Sequence, residues 1–211
     1  MKIIFLDEID STHTYLKELI KKDGYTYPVC ISTEMQTNGI GSRGNSWTGK
    51  KGNLFFSFVL KKDDLPKDLE IQSASIYFSF LLKNILSSKG SNIWLKWPND
   101  FYINDKKIGG TITTLTKDLV YCGIGLNLLD VSDEFGKLDI EIDKKECLEF
   151  YFDSLKKRIS WKDIFSQFKI EFQKSRKFKA TINNKKISLE NAILFSDGSI
   201  EINNTRVFSL R

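Results

Sequence analysis

Short apolar stretches with a period of two, or none, are separated by segments whose apolar residues recur every three to four positions, so strands and helices are predicted to intermix along the chain. Lys2 to Leu6 reads as a first strand, and behind it Tyr15, Leu16, Leu19 and Ile20 share one helix face with Ser11 and Thr12 just ahead as caps. Val29 to Thr33 predicts a second strand, and the nearly continuous apolar run Leu54 to Leu60 a third. The spacing of Ile71, Ala74, Phe78, Leu81, Leu82 and Ile85 predicts a helix over about residues 69–87 packed on a sheet. Ile93 to Trp97, Phe101 to Ile103, Lys107 to Leu115 and Leu119 to Asn127 follow as strands, with polar turns at Pro98-Asn99-Asp100 and Asn104-Asp105. Helices over roughly Lys144 to Arg158 and Trp161 to Ser175 close a larger domain of residues 1–175. Turns at Asn183-Asn184 and Asp197-Gly198 then divide residues 176–211 into the short strands of a small β domain. The expected fold class is α+β, a mixed sheet backed by helices.

Between the second and third strands, Glu34 to Asn53 holds five glycines and no sustained period, which predicts a functional loop of about twenty residues carrying Arg43, Trp47, Lys50 and Lys51. Gly39 to Gly44 matches a dinucleotide fingerprint as a string, but no helix follows to hold a pyrophosphate. Gly44 to Lys50 misses the P-loop pattern because Lys51 replaces its hydroxyl residue. What survives is glycine backbone that a ligand can approach closely, with N–H groups and cations suited to a phosphate or carboxylate.

The hydrophobic fraction of 41% supplies a core, and 28% charged residues with only 3 Pro and 13 Gly exclude disorder and fibrous repeats. Neither Leu54 to Leu60 nor Ile76 to Leu82 approaches the length of a membrane span. Asp7, Glu8 and Asp10 interrupt any apolar leader, so a cytoplasmic location is expected. Cys30, Cys122 and Cys147 are too widely spaced for a metal knuckle and read as reduced thiols. The single histidine, His13, removes His-rich zinc sites and is expected to be an ordinary surface or partly buried residue. A net charge of +5 permits an anionic ligand but is spread over the chain.

Trp94 to Asp100 ends a strand in an aromatic and proline turn presenting an amide beside a carboxylate, either a plain turn or a ligand-binding tip. In Lys106-Lys107-Ile108-Gly109-Gly110, strand alternation turns one lysine inward if Ile108 points out. The glycines of Gly123-Ile124-Gly125-Leu126-Asn127 weaken a strand and mark close approach of a ligand or backbone.

In this order, Asp10-Ser11-Thr12, the Gln36 to Trp47 loop, Lys96 to Asp100, Lys106 to Gly110 and Gly123 to Asn127 resemble the biotin protein ligase family over essentially the whole chain. The resemblance implies a class II synthetase-like catalytic domain with a small C-terminal SH3-like β barrel, in a short form without the DNA-binding domain of repressor members. It further implies that biotin and MgATP give biotinyl-5'-AMP and pyrophosphate. A lysine of a biotin carboxyl carrier domain, from acetyl-CoA carboxylase or another biotin-dependent carboxylase, then takes the biotin. No DNA or membrane partner is implied, and an edge-to-edge homodimer is open.

By the resemblance, Lys107, Arg43 and Asp100 are catalytic, with Asp100 also a magnesium contact. Ser11, Thr12, His13, Gln36, Gly39, Gly41, Lys107, Gly109 and Gly110 would bind biotin. Ile40, Ser42, Arg43, Trp47, Asn99, Asn127 and Arg211 would bind ATP and the adenylate, Trp47 by stacking on adenine. His13 replaces the family's usual Asn, and Ile40 and Ser42 replace arginines, so fewer charge-assisted bonds are expected to hold the adenylate. Two other readings remain: a lipoate or octanoate ligase or transferase, separable by substrate competition, and a non-catalytic adenylate or nucleic-acid binding module, which would release no pyrophosphate.

Overall fold

The computed structural model describes residues 1–42, 45–47 and 49–209. Strand β1 (Lys2–Ile9) leads into α1 (Thr12–Asp23), and β2 (Val29–Gln36) returns parallel to β1. The short strands β3 (Gly39–Ile40) and β4 (Ser46–Trp47) precede β5 (Leu54–Lys61). Helix α2 (Ala74–Ser88) is followed by β6 (Trp94–Lys96), β7 (Asp100–Ile103), β8 (Lys106–Thr116) and β9 (Leu119–Leu126). Helices α3 (Lys144–Lys156) and α4 (Trp161–Ser175) come next. The C-terminal strands are β10 (Lys179–Ile182), β11 (Lys185–Ser188), β12 (Ile193–Leu194), β13 (Ile200–Ile202) and β14 (Thr205–Val207).

Seven strands form one mixed sheet in the order β1-β2-β5-β9-β8-β7-β6, with β1 and β2 parallel and the remaining neighbours antiparallel. Alternation along the central strands divides their side chains between two faces. Cys30, Phe56, Phe58, Leu60, Cys122 and Ile124 enter the main core with residues of α2, α3 and α4. There Phe58 meets Phe78 edge to face, with ring centroids 5.1 Å apart. Val29, Ile31, Val59 and Tyr121 face the other way and pack with Leu16 of α1.

Local signals account for the ends of α1. Ser11 Oγ accepts a bond from the Thr14 N–H at 3.4 Å, and Gly24, at φ +76°, donates its N–H to Ile20 O. The long helix begins later than its apolar spacing predicts: residues 71–73 form a 3₁₀ turn, and α2 starts at Ala74. A tight turn from Pro66 to Leu69 occupies the residues ahead of it.

The strand-rich C-terminal part is of the SH3-like kind, with β10 paired to β11 and β12-β13-β14 forming a second small sheet. Asn183-Asn184 and Asn203-Asn204 take positive φ angles at their hairpin turns, where asparagine is well tolerated. Ala180, Leu189, Ile200 and Val207 join the same buried core as the large sheet.

Candidate active site

A cavity of about 400 Å³ opens on the α1 side of the sheet, and it exists because the strands there omit side chains. Next to Val59 and Tyr121, which pack under α1, the same face carries Ser57, Gly123 and Gly125. A Cβ on Gly123 would lie 3.0 Å from Ser57 Oγ and 3.4 Å from His13 Nδ1. A Cβ on Gly125 would lie 2.9 Å from the Trp47 indole. The glycines therefore form the floor, and any larger side chain would fill it.

One end of the cavity is uncharged and tightly hydrogen-bonded. Gln36 Oε1 accepts from the Thr12 N–H at 2.8 Å and from Thr12 Oγ1 at 3.0 Å, while Thr12 Oγ1 lies 2.8 Å from Ser57 Oγ. Ser11, Thr12 and Ser57 are all buried, so this network is rigid and already desolvated. The Gln36 side-chain amide and the hydroxyls suit a neutral ligand head with both donors and acceptors. Ser57 was not among the sequence candidates. Its signal was a lone serine on the inner alternation of an apolar strand.

The other end is charged. Lys107 Nζ is 2.6 Å from Asp100 Oδ1, and Lys96 Nζ is 3.2 Å from Asp100 Oδ2. Burial alone would push the Asp100 carboxyl up, but the two ammonium groups outweigh it and hold it below the usual carboxylate range. Two cations and one anion leave this end with one net positive charge, which favours an anionic ligand.

A register shift places Lys107 there. Phe101 pairs with Gly109 but Tyr102 pairs with Lys107, so Ile108 is an extra residue in β8. Strict alternation would put Lys107 and Gly110 on opposite faces, yet both line the cavity, and a Cβ on Gly110 would lie 3.7 Å from Lys107 Nζ. Ile108 is fully buried in the core, not pointing out, and Lys106 is exposed. The alternation argument started from an outward Ile108, which the structure overturns; the bulge at Ile108 is what brings Lys107 to the cavity.

The glycine-rich segment is shorter than the twenty-residue loop expected. Strand β2 runs through Gln36, and β3 pairs with β4 in the register Gly39↔Trp47 and Ile40↔Ser46. Ile40, Gly41, Ser42 and Trp47 line the cavity, with Lys107 Nζ 5.9 Å from the Trp47 ring centroid. The Trp47 Nε1–H is buried without a hydrogen-bond partner among the described residues. Asn99 also lines the cavity: its side-chain amide donates to Thr111 O, and its carbonyl accepts from the Thr111 N–H at 2.9 Å. Arg43 and Arg211 lie outside the described residues.

Three candidates sit elsewhere. Gly39 is behind the wall, where a Cβ would meet Trp47 O and Gln36 Nε2 at 2.6 and 2.9 Å. Gly109 faces core packing, where its Cβ would meet Gly125 O at 2.6 Å and Leu126 Cδ1 at 2.9 Å. Asn127 is buried outside the cavity; its Oδ1 accepts from Asn53 and its amide donates to Gly136 O, so it orders the turn after β9. Each carboxylate oxygen of Asp100, the one proposed magnesium contact, takes an ammonium group in this structure. Among the described residues no cluster of three or more His, Cys, Asp or Glu side chains is placed to hold a metal ion.

His13 is buried at 5% exposure, deeper than a surface histidine, and lines the cavity. Its Nε2 is 3.4 Å from Thr114 Oγ1, while Nδ1 has no partner among the described residues. Burial, and then the charge of Lys17, push its pKa down from 6.5 to about 4, so the ring is neutral at physiological pH. The folded state therefore resists a proton that the unfolded chain takes up readily. Stability contributed by the neutral ring is complete above about pH 6.5 and is lost as pH falls toward 4. Between pH 7 and pH 5 the expected loss is about 2 kcal/mol, absent in His13→Asn, as read from urea unfolding at the two pH values. Equal pH dependence in both proteins would mean that the ring is charged, or solvated, in the fold.

A β-sheet cavity with a neutral hydrogen-bonding end, a lysine-rich end and a glycine floor defines a site for a small molecule bearing an anionic group. The chain belongs to the biotin/lipoate A/B protein ligase family, whose model matches residues 5–127. It is 38% identical over 108 residues to biotin–protein ligase 2 of Arabidopsis thaliana, covering 47% of this chain and 32% of that relative. It is 30% identical over 135 residues to the bifunctional ligase/repressor BirA of Escherichia coli, covering 60% and 40%. The matched segments thus span about a third of the first of these relatives and two fifths of the second. The fold is similar to that of the biotin acetyl coenzyme A carboxylase synthetase from Helicobacter pylori with bound biotinylated ATP, with a TM-score of 0.93 and 38% identity over 98% of this chain and 99% of that one. The biotin protein ligase of Aquifex aeolicus in complex with biotin and ATP shares the fold at a TM-score of 0.74 and 21% identity, covering 100% and 96%.

Proposed function

We propose that the protein is an ATP-dependent biotin protein ligase. The observation that carries this reading is the pairing of the buried Thr12-Gln36-Ser57 network at one end of the cavity with the Lys107-Asp100-Lys96 cluster at the other. A ureido head has the donors and acceptors for the first end, and a carboxylate has the charge for the second. The likeness to the Helicobacter pylori chain with bound biotinylated ATP supports the same ligand chemistry here.

In the first step a biotin carboxylate oxygen bonds to the α-phosphorus of MgATP. The bond to the α,β-bridging oxygen breaks, and its electron pair leaves with pyrophosphate. Two anions must approach each other, and Lys107 is the group that lowers this repulsion. Lys96 keeps Asp100 neutralised while Lys107 turns its ammonium to the ligand, so the cluster can share a cation without stranding a carboxylate. Trp47, whose indole N–H lacks a partner among the described residues, stacks on adenine beside Lys107. Magnesium enters as part of the nucleotide substrate.

In the second step the ε-amine of a lysine on a biotin carboxyl carrier domain, of acetyl-CoA carboxylase or another biotin-dependent carboxylase, attacks the acyl carbon and expels AMP. With its pKa held low, Asp100 serves an incoming ammonium or amine as hydrogen-bond acceptor and counter-charge rather than as a strong base. No repressor role is part of this proposal.

Pyrophosphate release from MgATP measured with biotin, with lipoate and with neither tests the reading. Release is expected with biotin only. Release with lipoate alone would move the chain to the lipoate branch of its family, and none with either would favour a binding module.

A further inference from the structure

The net positive charge is concentrated rather than spread over the chain. Residues 174–189 contain six basic and no acidic side chains, which leaves 26 basic and 27 acidic residues in the rest of the chain. Lys174, Arg176, Lys177, Lys179, Lys185 and Lys186 run from the last turn of α4 into the β10-β11 hairpin, and all are exposed except the half-buried Arg176. None of the six is in an ion pair with a described carboxylate. Arg176 donates instead to Gln173 Oε1 at 2.8 Å and to the Glu190 carbonyl at 2.7 Å. Cations of one sign without internal partners make a field that attracts an acidic partner.

The tract begins close to the site. Lys96 Nζ lies 3.2 Å from Asp100 Oδ2 and 5.4 Å from the Tyr102 ring centroid, so Tyr102 is on the Asp100 side of β7. Tyr102 meets Trp94 and Phe178, each at 5.2 Å between ring centroids, and Lys174 Nζ is 5.8 Å from the Trp94 ring. Phe178 stands between Lys177 and Lys179 in the sequence. A strand rises about 3.3 Å per residue, so the tract starts within about 15 Å of Asp100. A shallow cleft of about 610 Å³ lies along it, lined by Trp94, Lys174, Lys177 and Phe178 with Lys83, Asp105 and Glu171. Glu171 is taken up by Lys83 at 3.3 Å and by the Leu95 N–H at 3.2 Å, which leaves Asp105 as the one other carboxylate among its described residues.

We propose that this basic tract docks an acidic face of the carrier domain whose lysine accepts biotin. The proposal rests on the ligase reading for the identity of that partner. A compact domain of about 80 residues has a radius of gyration of about 12 Å, so one that places its lysine at Asp100 overlies the start of the tract. Complementary charge steers the domain toward the site and fixes its orientation, while the Trp94-Tyr102-Phe178 cluster beneath holds the lysines at a set distance from Asp100. A nucleic acid fits the surface less well. Trp94 is 4% exposed, and Tyr102 and Phe178 pack on it and on each other, so the rings are engaged where a base would have to stack.

Two measurements on the full chain test the surface: calorimetric binding of the biotin-free carrier domain of acetyl-CoA carboxylase without ATP, and biotin transfer to that domain. Lys177→Glu combined with Lys179→Glu is expected to raise the Kd and the KM for the carrier about tenfold. Its kcat, and its biotin-dependent pyrophosphate release without carrier, should stay within about twofold of the parent. Raising salt from about 50 to about 500 mM should weaken carrier binding by the parent and change that of the variant little. Lys21→Glu combined with Lys22→Glu, the same charge change at the exposed end of α1, is expected to leave the carrier KM unchanged. Both pairs are exposed, so both variants should fold. A carrier KM within about twofold of the parent in the tract variant, or an equal rise in the α1 variant, would overturn the proposal. So would a tract variant that loses binding to a short DNA duplex while its carrier transfer is intact, which would assign the tract to nucleic acid. Pyrophosphate release and transfer that persist alongside either result would leave the ligase reading standing. Carrier binding that depends on Lys177 and Lys179 in a chain that releases no pyrophosphate with biotin would keep the surface and remove that reading.

Discussion

Lys107→Ala is expected to lower biotin-dependent pyrophosphate release by about 10²- to 10³-fold, the usual cost of removing a preorganised group that stabilises developing charge. The expectation follows from the charge balance at the cavity mouth. Lys107 and Lys96 share Asp100, and deleting one ammonium leaves a neutral Lys96-Asp100 pair where an anion must bind. Asp100 would then be an uncompensated repulsive neighbour whenever Lys96 turned away. The fold should tolerate the change, because the Lys107 side chain is 29% exposed and Lys96 still pairs with Asp100 in the variant. Lys107→Arg keeps the charge but spreads it over a planar fork that does not match the short contact to Asp100, so partial activity is expected. Single-turnover pyrophosphate release with saturating biotin and MgATP measures the chemical step directly. Activity of the alanine variant within about threefold of the parent would remove Lys107 from the chemistry and return the anion-binding role to other groups.

The sheet and the helices were legible in the sequence because burial on known faces imposes strong periods. The apolar run of β5 and the three-to-four spacing in α2 both state which elements are covered on both sides. The hairpin at Asn183-Asn184 was legible for a different reason, since those residues tolerate the positive φ of a tight turn. The bulge at Ile108 was not, because a single extra residue leaves the composition of β8 unchanged and alters only which face each side chain takes. The resemblance makes Asn127 a nucleotide contact, but its side chain is occupied by Asn53, far away in the sequence, and by the Gly136 carbonyl of the following turn. Ser11 illustrates the reverse. Its capping bond is a local matter, and its place in the cavity wall follows from the same position at the start of α1.

Trp97→Ala is expected to destabilise the protein by about 3–5 kcal/mol, the range for truncating a large buried aromatic. Trp97 is the largest fully buried side chain in the core. Its backbone N–H donates to Ser175 Oγ at 3.0 Å and its indole Nε1–H to Gly198 O at 2.9 Å, so one residue ties β6 to the end of α4 and to the C-terminal strands. Truncation would open a cavity and strand the Gly198 carbonyl, and the two costs add because neighbouring groups cannot collapse around both. For a chain of this size the thermal midpoint should fall by about 10 °C. Trp97→Phe keeps most of the volume but not the donor, and should cost less than half as much. The effect should also reach the site. Residues 98–100 follow directly, and through them Trp97 fixes the Asn99 amide and the Asp100 carboxylate against Thr111 and Lys107. Pyrophosphate release by Trp97→Ala, measured well below its unfolding midpoint, should therefore fall more than release by Trp97→Phe. A stability loss under about 1 kcal/mol would show that the ring is not the tie between the two parts of the core. Full activity at that loss would show that the Asn99-Asp100 tip holds its own conformation.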